Sequence, residues 1–257
     1  MKHSLGFVLI VTFLLTLCSV TDAQRRHSSS RYKKKAKLRA KKPKGKEAIV
    51  VDERLSVLRT SPSLYARPIQ RMRRGRRVIV LASKKGDGVV FFKVRALPNH
   101  SGWVQSEAIV GNFRKGDDRR LAMLIQASDG FGRLQRIMFF LSYFPQSALR
   151  PSMLLLLGDL IEEVSLSLSK KASRKLDIRE MAASGAPLHS FYLNFSSLDR
   201  YRKLGIRFLF NIDTKSYHYD GDSWFEIARK FPKSEEAFEA KKRLIALQNK
   251  MLRKSKN

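Results

Sequence analysis

Apolar positions along the chain fall into three regimes. Residues 5–20 form one uncharged, mostly apolar run, residues 48–110 carry short alternating runs, and from Asp117 onward apolar side chains recur at helical spacing. In the second regime Ala48-Ile49-Val50-Val51 opens the series and the turn Leu58-Arg59-Thr60-Ser61-Pro62-Ser63 follows. Gly75 precedes Val78-Ile79-Val80-Leu81, Val89 to Val94 makes the next run, and Gly102-Trp103-Val104 closes it. Short strands separated by turn signals predict a small closed β domain over residues 47–111. Alternation puts Val90, Phe92 and Val94 on the core face and Phe91, Lys93 and Arg95 on the other. Gly86-Asp87-Gly88 supplies a tight turn between two of the strands.

Past Asp117, Leu121, Leu124, Ile125 and Ser128 mark a first helix, and a second runs from Phe131 to Tyr143 before Pro145. A third spans Pro151 to Leu176, with Leu154, Leu157, Ile161, Val164, Leu168 and Ala172 at helical spacing. Helices resume over Leu188–Leu204 and Asp222–Leu247. Between them, Ile206–Phe210 and Ser216–Tyr219 flank Asn211–Lys215 as an inserted β hairpin that either braces its neighbouring helices or supports a partner site. Phe144-Pro145-Gln146-Ser147 recurs as Phe231-Pro232-Lys233-Ser234, an offset of 87 that also aligns Ile137 with Trp224, Leu157 with Leu244 and Leu160 with Leu247. The expected mechanism is an aromatic ending one helix, proline blocking its continuation, and serine capping the next.

Two resemblances follow from these residues. Leu58-Arg59 with Pro62-Ser63, Met72 with Gly75 and Val78-Ile79-Val80, Phe91-Phe92-Lys93-Val94, and Gly102-Trp103-Val104 together resemble the bacterial SH3-like (SH3b) family. Ser61 stands where that family has glycine, and Phe91 where it has tryptophan. The resemblance implies a binding module for cell-wall peptide or protein, with ligands near the loop that follows the first strands, here about Thr60 to Arg74. Arg59, Tyr65 and Arg67 from that loop, with Phe91 and Trp103, are the candidate ligand contacts; Trp103 either packs over the end of the barrel or meets the ligand. The second resemblance, carried by Phe231-Pro232-Lys233-Ser234-Glu235-Glu236-Ala237, is to tetratricopeptide-like (TPR-like) helical hairpins over residues 117–250, with Arg150 where the earlier copy should have alanine. The expected fold class is therefore multidomain α and β: a small SH3-like β-barrel, then an all-α TPR-like helical array with an inserted β-hairpin.

Charge changes the picture more than composition does. The chain has 52 Lys and Arg against 22 Asp and Glu, a net of +30, which predicts attraction to polyanions. Residues 24–46 hold twelve Lys and Arg and no acid, and so read as an unfolded basic tether; residues 251–257 read as a basic tail. Lys33, Lys34, Lys35, Lys41 and Lys42 are the expected contacts to anionic lipid or cell-wall polymer, the alternative being a solvated spacer. Residues 1–23 have the layout of a secretory signal, with Lys2 before the apolar run and Ala23 at the cut. They predict a periplasmic or extracellular envelope protein, the alternative being an uncleaved membrane anchor. Cys18, the only cysteine, lies inside that segment, so cleavage would leave neither disulfide nor thiol chemistry.

Motifs for nucleotide, metal or nucleophilic catalysis do not occur, and Gly130-Phe131-Gly132 reads as a helix break. Asp159, Glu162 and Glu163 read as an exposed polar stripe, and His189 and His218 as packing residues. The expectation is a non-enzymatic protein with no cofactor, no metal and no catalytic residue. Its expected partners are peptidoglycan or an envelope protein, with nucleic acid as the charge-driven alternative; the sequence does not fix its oligomeric state.

Overall fold

The computed structural model of the protein describes residues 45–96 and 100–252. The signal-like segment, the five lysines expected to touch anionic surfaces and the end of the basic tail lie outside the described residues. Seven strands come first: β1 (Lys46–Val50), β2 (Val57–Arg59), β3 (Pro68–Arg71), β4 (Arg77–Gly86), β5 (Val89–Ala96), β6 (His100–Gln105) and β7 (Ile109–Val110). They form one antiparallel sheet in the order β3-β2-β6-β5-β4-β1-β7. Lys46 already pairs with Val80, so the strand begins one residue inside the stretch read as a tether. The segment expected to be one long loop after the first strands contains β3, which pairs back on β2 and leaves only residues 60–67 as the connection.

Local chemistry explains the sheet's longest hairpin. Asp87 and Gly88 both have positive φ, 49° and 76°, and join Gly86 to Val89 as a two-residue turn whose twist suits antiparallel strands. The register slips between Val80 and Ala82, and the extra residue there, Leu81, kinks β4.

Eight helices and a second, two-stranded sheet follow among the described residues. The helices are α1 (Asp117–Gln126), α2 (Gly130–Tyr143), α3 (Arg150–Ser173), α4 (Ile178–Ser184), α5 (Leu188–Phe195), α6 (Asp199–Arg202), α7 (Asp222–Lys230) and α8 (Glu235–Leu252); β8 (Phe208–Asn211) pairs with β9 (Ser216–Tyr219). α8 continues two residues into the segment expected to be a tail, and α4 lies where no helix is expected. None of the described helices is long and apolar enough to cross a membrane.

The two related turns carry the same hydrogen bonds at the 87-residue offset. Phe144 N–H bonds Phe140 C=O as Phe231 bonds Ile227; Ser147 bonds Phe144 as Ser234 bonds Phe231; Arg150 bonds Ser147 as Ala237 bonds Ser234. The serine hydroxyls do not form a matching pair of caps: Ser147 Oγ accepts from Leu149 N–H at 3.3 Å and bonds the Asp118 carboxylate at 2.7 Å, whereas Ser234 Oγ makes no main-chain bond among the described residues. Ile137 and Trp224, aligned by the repeat, are both buried. Trp224 needs Gly158 opposite it, since a Cβ there would lie 2.4 Å from the indole nitrogen.

Two apolar clusters result. One lies within the sheet around Leu58, Val78, Phe92, Val94 and Val104. The other joins the helices and includes Ile49 and Val51 from β1 and its extension, and Val110 from β7. The buried Asp117 ties the two regions together, accepting from Gly111 N–H at 3.0 Å and from Arg114 Nε at 2.6 Å, while Arg120 Nη1 reaches Glu107 C=O at 2.7 Å.

Candidate binding surface of the sheet

β2, β6 and β5 lie side by side, and the register sets Arg59 opposite Trp103 and Trp103 opposite Lys93. Their neighbours Leu58, Val104 and Val94 are buried in the sheet core, so alternation turns Arg59, Trp103 and Lys93 to the outer face. The result is a partly exposed indole between two cations. Arg59 is held in place, because its Nη1 donates to Ala66 C=O at 2.8 Å.

The 60–67 connection folds over one end of this face. Thr60 N–H bonds Arg67 C=O at 3.1 Å, Tyr65 N–H bonds Ser63 Oγ at 3.1 Å, and Leu64 N–H bonds Asp87 Oδ2 at 2.8 Å. Hydrogen bonds from Ser63 and from Leu64 N–H hold the Asp87 carboxyl below its ordinary pKa. Gly86 is required beneath the loop, since a Cβ there would sit 1.9 Å from Pro62 C=O. At the tip Tyr65 is 90% exposed, and Arg67 is exposed beside it in sequence.

This closure corrects two expectations. Phe91 does lie on the face opposite the core, but it is 0% exposed and does not serve as a ligand contact. Val90, expected in the core, is 40% exposed beside the turn. Of the five candidates, the fold pairs Arg59 with Trp103, puts Tyr65 and Arg67 on the overlying loop, and removes Phe91 to the interior. Lys93, which alternation puts on the outer face but which is not among the five candidates, joins Arg59 and Trp103 through a register that only the sheet supplies.

A second concentration of cations lies where the sheet meets α2. Arg136 Nε donates to Val51 C=O at 3.1 Å; burial and the neighbouring Arg74 push its pKa down. Asp52 offsets this in part, and the Arg54 guanidinium bonded to it at 2.7 Å holds its carboxyl low. The Nε atoms of Arg74, Arg76 and Arg95 are buried with no partner among the described residues. A cleft of about 490 Å³ also opens in the helical region, with Leu134, Val164 and Tyr201 on its walls and Arg133, Lys171 and Arg200 among its charges.

The expected acidic stripe on α3 is instead divided. Glu162 is buried, and its carboxylate meets His218 Nδ1 at 2.9 Å, Tyr219 N–H at 2.9 Å and Lys250 Nζ at 2.8 Å. Burial alone would raise its pKa, but these three donors outweigh that and hold the carboxyl low. Asp159 pairs with Arg243 at 3.0 Å. A carboxylate–imidazole pair is a familiar catalytic element, but here His218 is 3% exposed and the neighbouring hydroxyls are engaged with main chain. Ser165 Oγ donates to Glu162 C=O, and Ser169 Oγ accepts from Tyr217 N–H. The network clamps the β8–β9 hairpin and the end of α8 onto α3, a structural task. Among the described residues, no group of three or more His, Cys, Asp or Glu is placed to hold a metal ion.

No family model matches the chain, and neither a curated protein nor a solved structure matches it.

Proposed function

We propose that the protein is a non-enzymatic binding protein of the cell envelope, and that its strand-built region is an SH3-like barrel recognising a carboxylate-bearing peptide. Peptidoglycan stem peptide is the leading candidate, and a protein segment of the same chemistry is the other. The observation that carries this reading is the Arg59–Trp103–Lys93 row under the Tyr65 loop. The indole offers apolar contact, while the cations at either side favour a carboxylate. The helix pairs α2–α3 and α7–α8 then serve as TPR-like hairpins that dock a second protein, with Phe225 and Phe238 exposed for contact.

The test is titration of the full chain with soluble peptidoglycan fragments at low and high salt, set beside Trp103→Ala. Binding that persists in salt and weakens about tenfold or more in the variant supports the reading, since loss of an interface aromatic commonly costs more than about 1 kcal/mol. Equal binding by both proteins sinks it.

A second reading, charge-driven binding of nucleic acid or anionic lipid and polymer, is favoured by the cation excess of the strand-built region, thirteen Lys and Arg against five Asp and Glu over residues 45–110. It expects affinity for any polyanion to fall by about a thousandfold between 50 and 200 mM salt if six or more charges take part.

A further inference from the structure

β4 is longer than its partner on one side. β1 pairs with it only through Arg77–Val80, whereas β5 pairs with it as far as Gly86. The extra residue Leu81 interrupts the β4–β5 register just past the last pair that β4 makes with β1. Residues 81–85 are all exposed.

The hairpin fixes which main-chain groups lie free. Gly86 and Val89 flank a two-residue turn and so exchange hydrogen bonds, which makes Lys84 with Phe91 the next bonded pair. Ser83 and Lys85 therefore turn their N–H and C=O groups away from β5, toward the side where β1 has ended. Among the described residues neither group has a partner there.

Beside this edge lies a groove of about 570 Å³. Its floor is aromatic: Phe92 and Phe113 meet edge to face at 5.9 Å, where the sheet core opens outward. Its charges are Lys46, Arg114 and Lys115, and no acidic residue lines it. Lys46 Nζ lies 5.6 Å from the Phe113 ring centre and the Arg114 guanidinium 5.6 Å from that of Phe92. Lys84 and Lys85 add two more exposed cations on the strand itself.

We propose that the free edge of β4 is a second binding site, separate from the Arg59–Trp103–Lys93 row, that takes an extended acidic peptide as an added strand. Main-chain bonds to Ser83 and Lys85 hold its backbone, one apolar side chain enters the Phe92–Phe113 groove, and its carboxylates meet the surrounding cations. Charge selects the occupant. The chain's own basic segment, eleven Lys and Arg over residues 24–45, would bring like charge to a cationic groove, and a second copy would do the same.

The experiment titrates the full chain with a capped octapeptide alternating glutamate and valine, its N-methylated form, which cannot pair as a strand, and a lysine–valine counterpart. Amide hydrogen exchange is followed at Ser83 and Lys85. The proposal expects the first peptide to bind and to slow exchange of both amides, with the other two at least about tenfold weaker, the N-methylated form through the loss of one or two net hydrogen bonds and the lysine form through like charge. It also expects Lys85→Pro to weaken binding more than Lys85→Ala does, because both remove the lysine charge and only proline also removes the outward main-chain donor. Equal affinity for the N-methylated peptide means adhesion by charge alone and overturns the strand. So does equal affinity for the lysine peptide, or self-association of the protein blocked by Lys85→Pro.

Discussion

The sheet and the helices handle charge in opposite ways. In the helical region the acids are placed against cations that hold the fold: Arg150 meets Glu226 at 2.8 Å, Arg243 meets Asp159 at 3.0 Å, and Lys250 meets Glu162 at 2.8 Å. In residues 45–110 thirteen Lys and Arg face five Asp and Glu. Most of those few acids serve main-chain or local bonds, such as Asp87 to Leu64 and Glu53 to Arg74. Cations left over after folding cost the compact state through mutual repulsion. The excess is eight in residues 45–110 and also eight in residues 111–252, where 24 Lys and Arg face 16 Asp and Glu, so the shorter sheet region carries it at about twice the density per residue. In the helices ion pairs join separate elements, and on the sheet fewer cations are paired; under the proposed function those cations serve as binding groups.

The contrast is broken most forcefully from the helical side. Glu162→Ala leaves His218, Lys250 and Tyr219 N–H without their shared acceptor, and is expected to cost about 3–5 kcal/mol in denaturant unfolding. Acid reaches the same site. The Glu162 carboxyl is held below its ordinary value of 4.5, so the unfolded chain takes up the proton first as pH falls. Its stabilisation is complete above that value and is lost as pH drops through the lower folded one. Glu162→Gln should remove this share of the acid dependence from the pH–stability curve. Next in size, Gly158→Ala drives a methyl group against Trp224 and should destabilise by about 1–3 kcal/mol in the same measurement.

Sheet variants should act on binding instead. Trp103→Ala is expected to weaken the ligand about tenfold while shifting the unfolding midpoint less than Gly158→Ala does. Smallest of all, Arg77→Ala breaks an exposed 3.8 Å pair with Glu47, and stability should stay within about 0.5 kcal/mol. If that variant unfolds the protein, charge on the sheet is structural after all and the contrast fails.

What the sequence discloses follows the range of the cause. The Asp87-Gly88 turn and the paired turns 87 residues apart are set by neighbouring residues, so they can be read directly. Helix positions such as Leu121, Ile137 and Leu154 follow from periodicity alone. The fate of Phe91 depends on a loop some thirty residues earlier folding over it, which alternation cannot register. Glu162 looked like part of a solvated stripe because its partners His218 and Lys250 lie 56 and 88 residues away. Lys93 joins the candidate surface only through the order of β2, β6 and β5. Local chemistry is legible, and long-range pairing of polar groups is not.

The placement of Ile49, Val51 and Val110 among the helical side chains has one more consequence. A fragment ending near residue 111 would bare these three to water, at roughly 1.5–3 kcal/mol for each side chain uncovered. Strand-rich and helix-rich portions should therefore melt in a single calorimetric transition. The module is not a cassette that can be cut out and grafted elsewhere without new cover for that face.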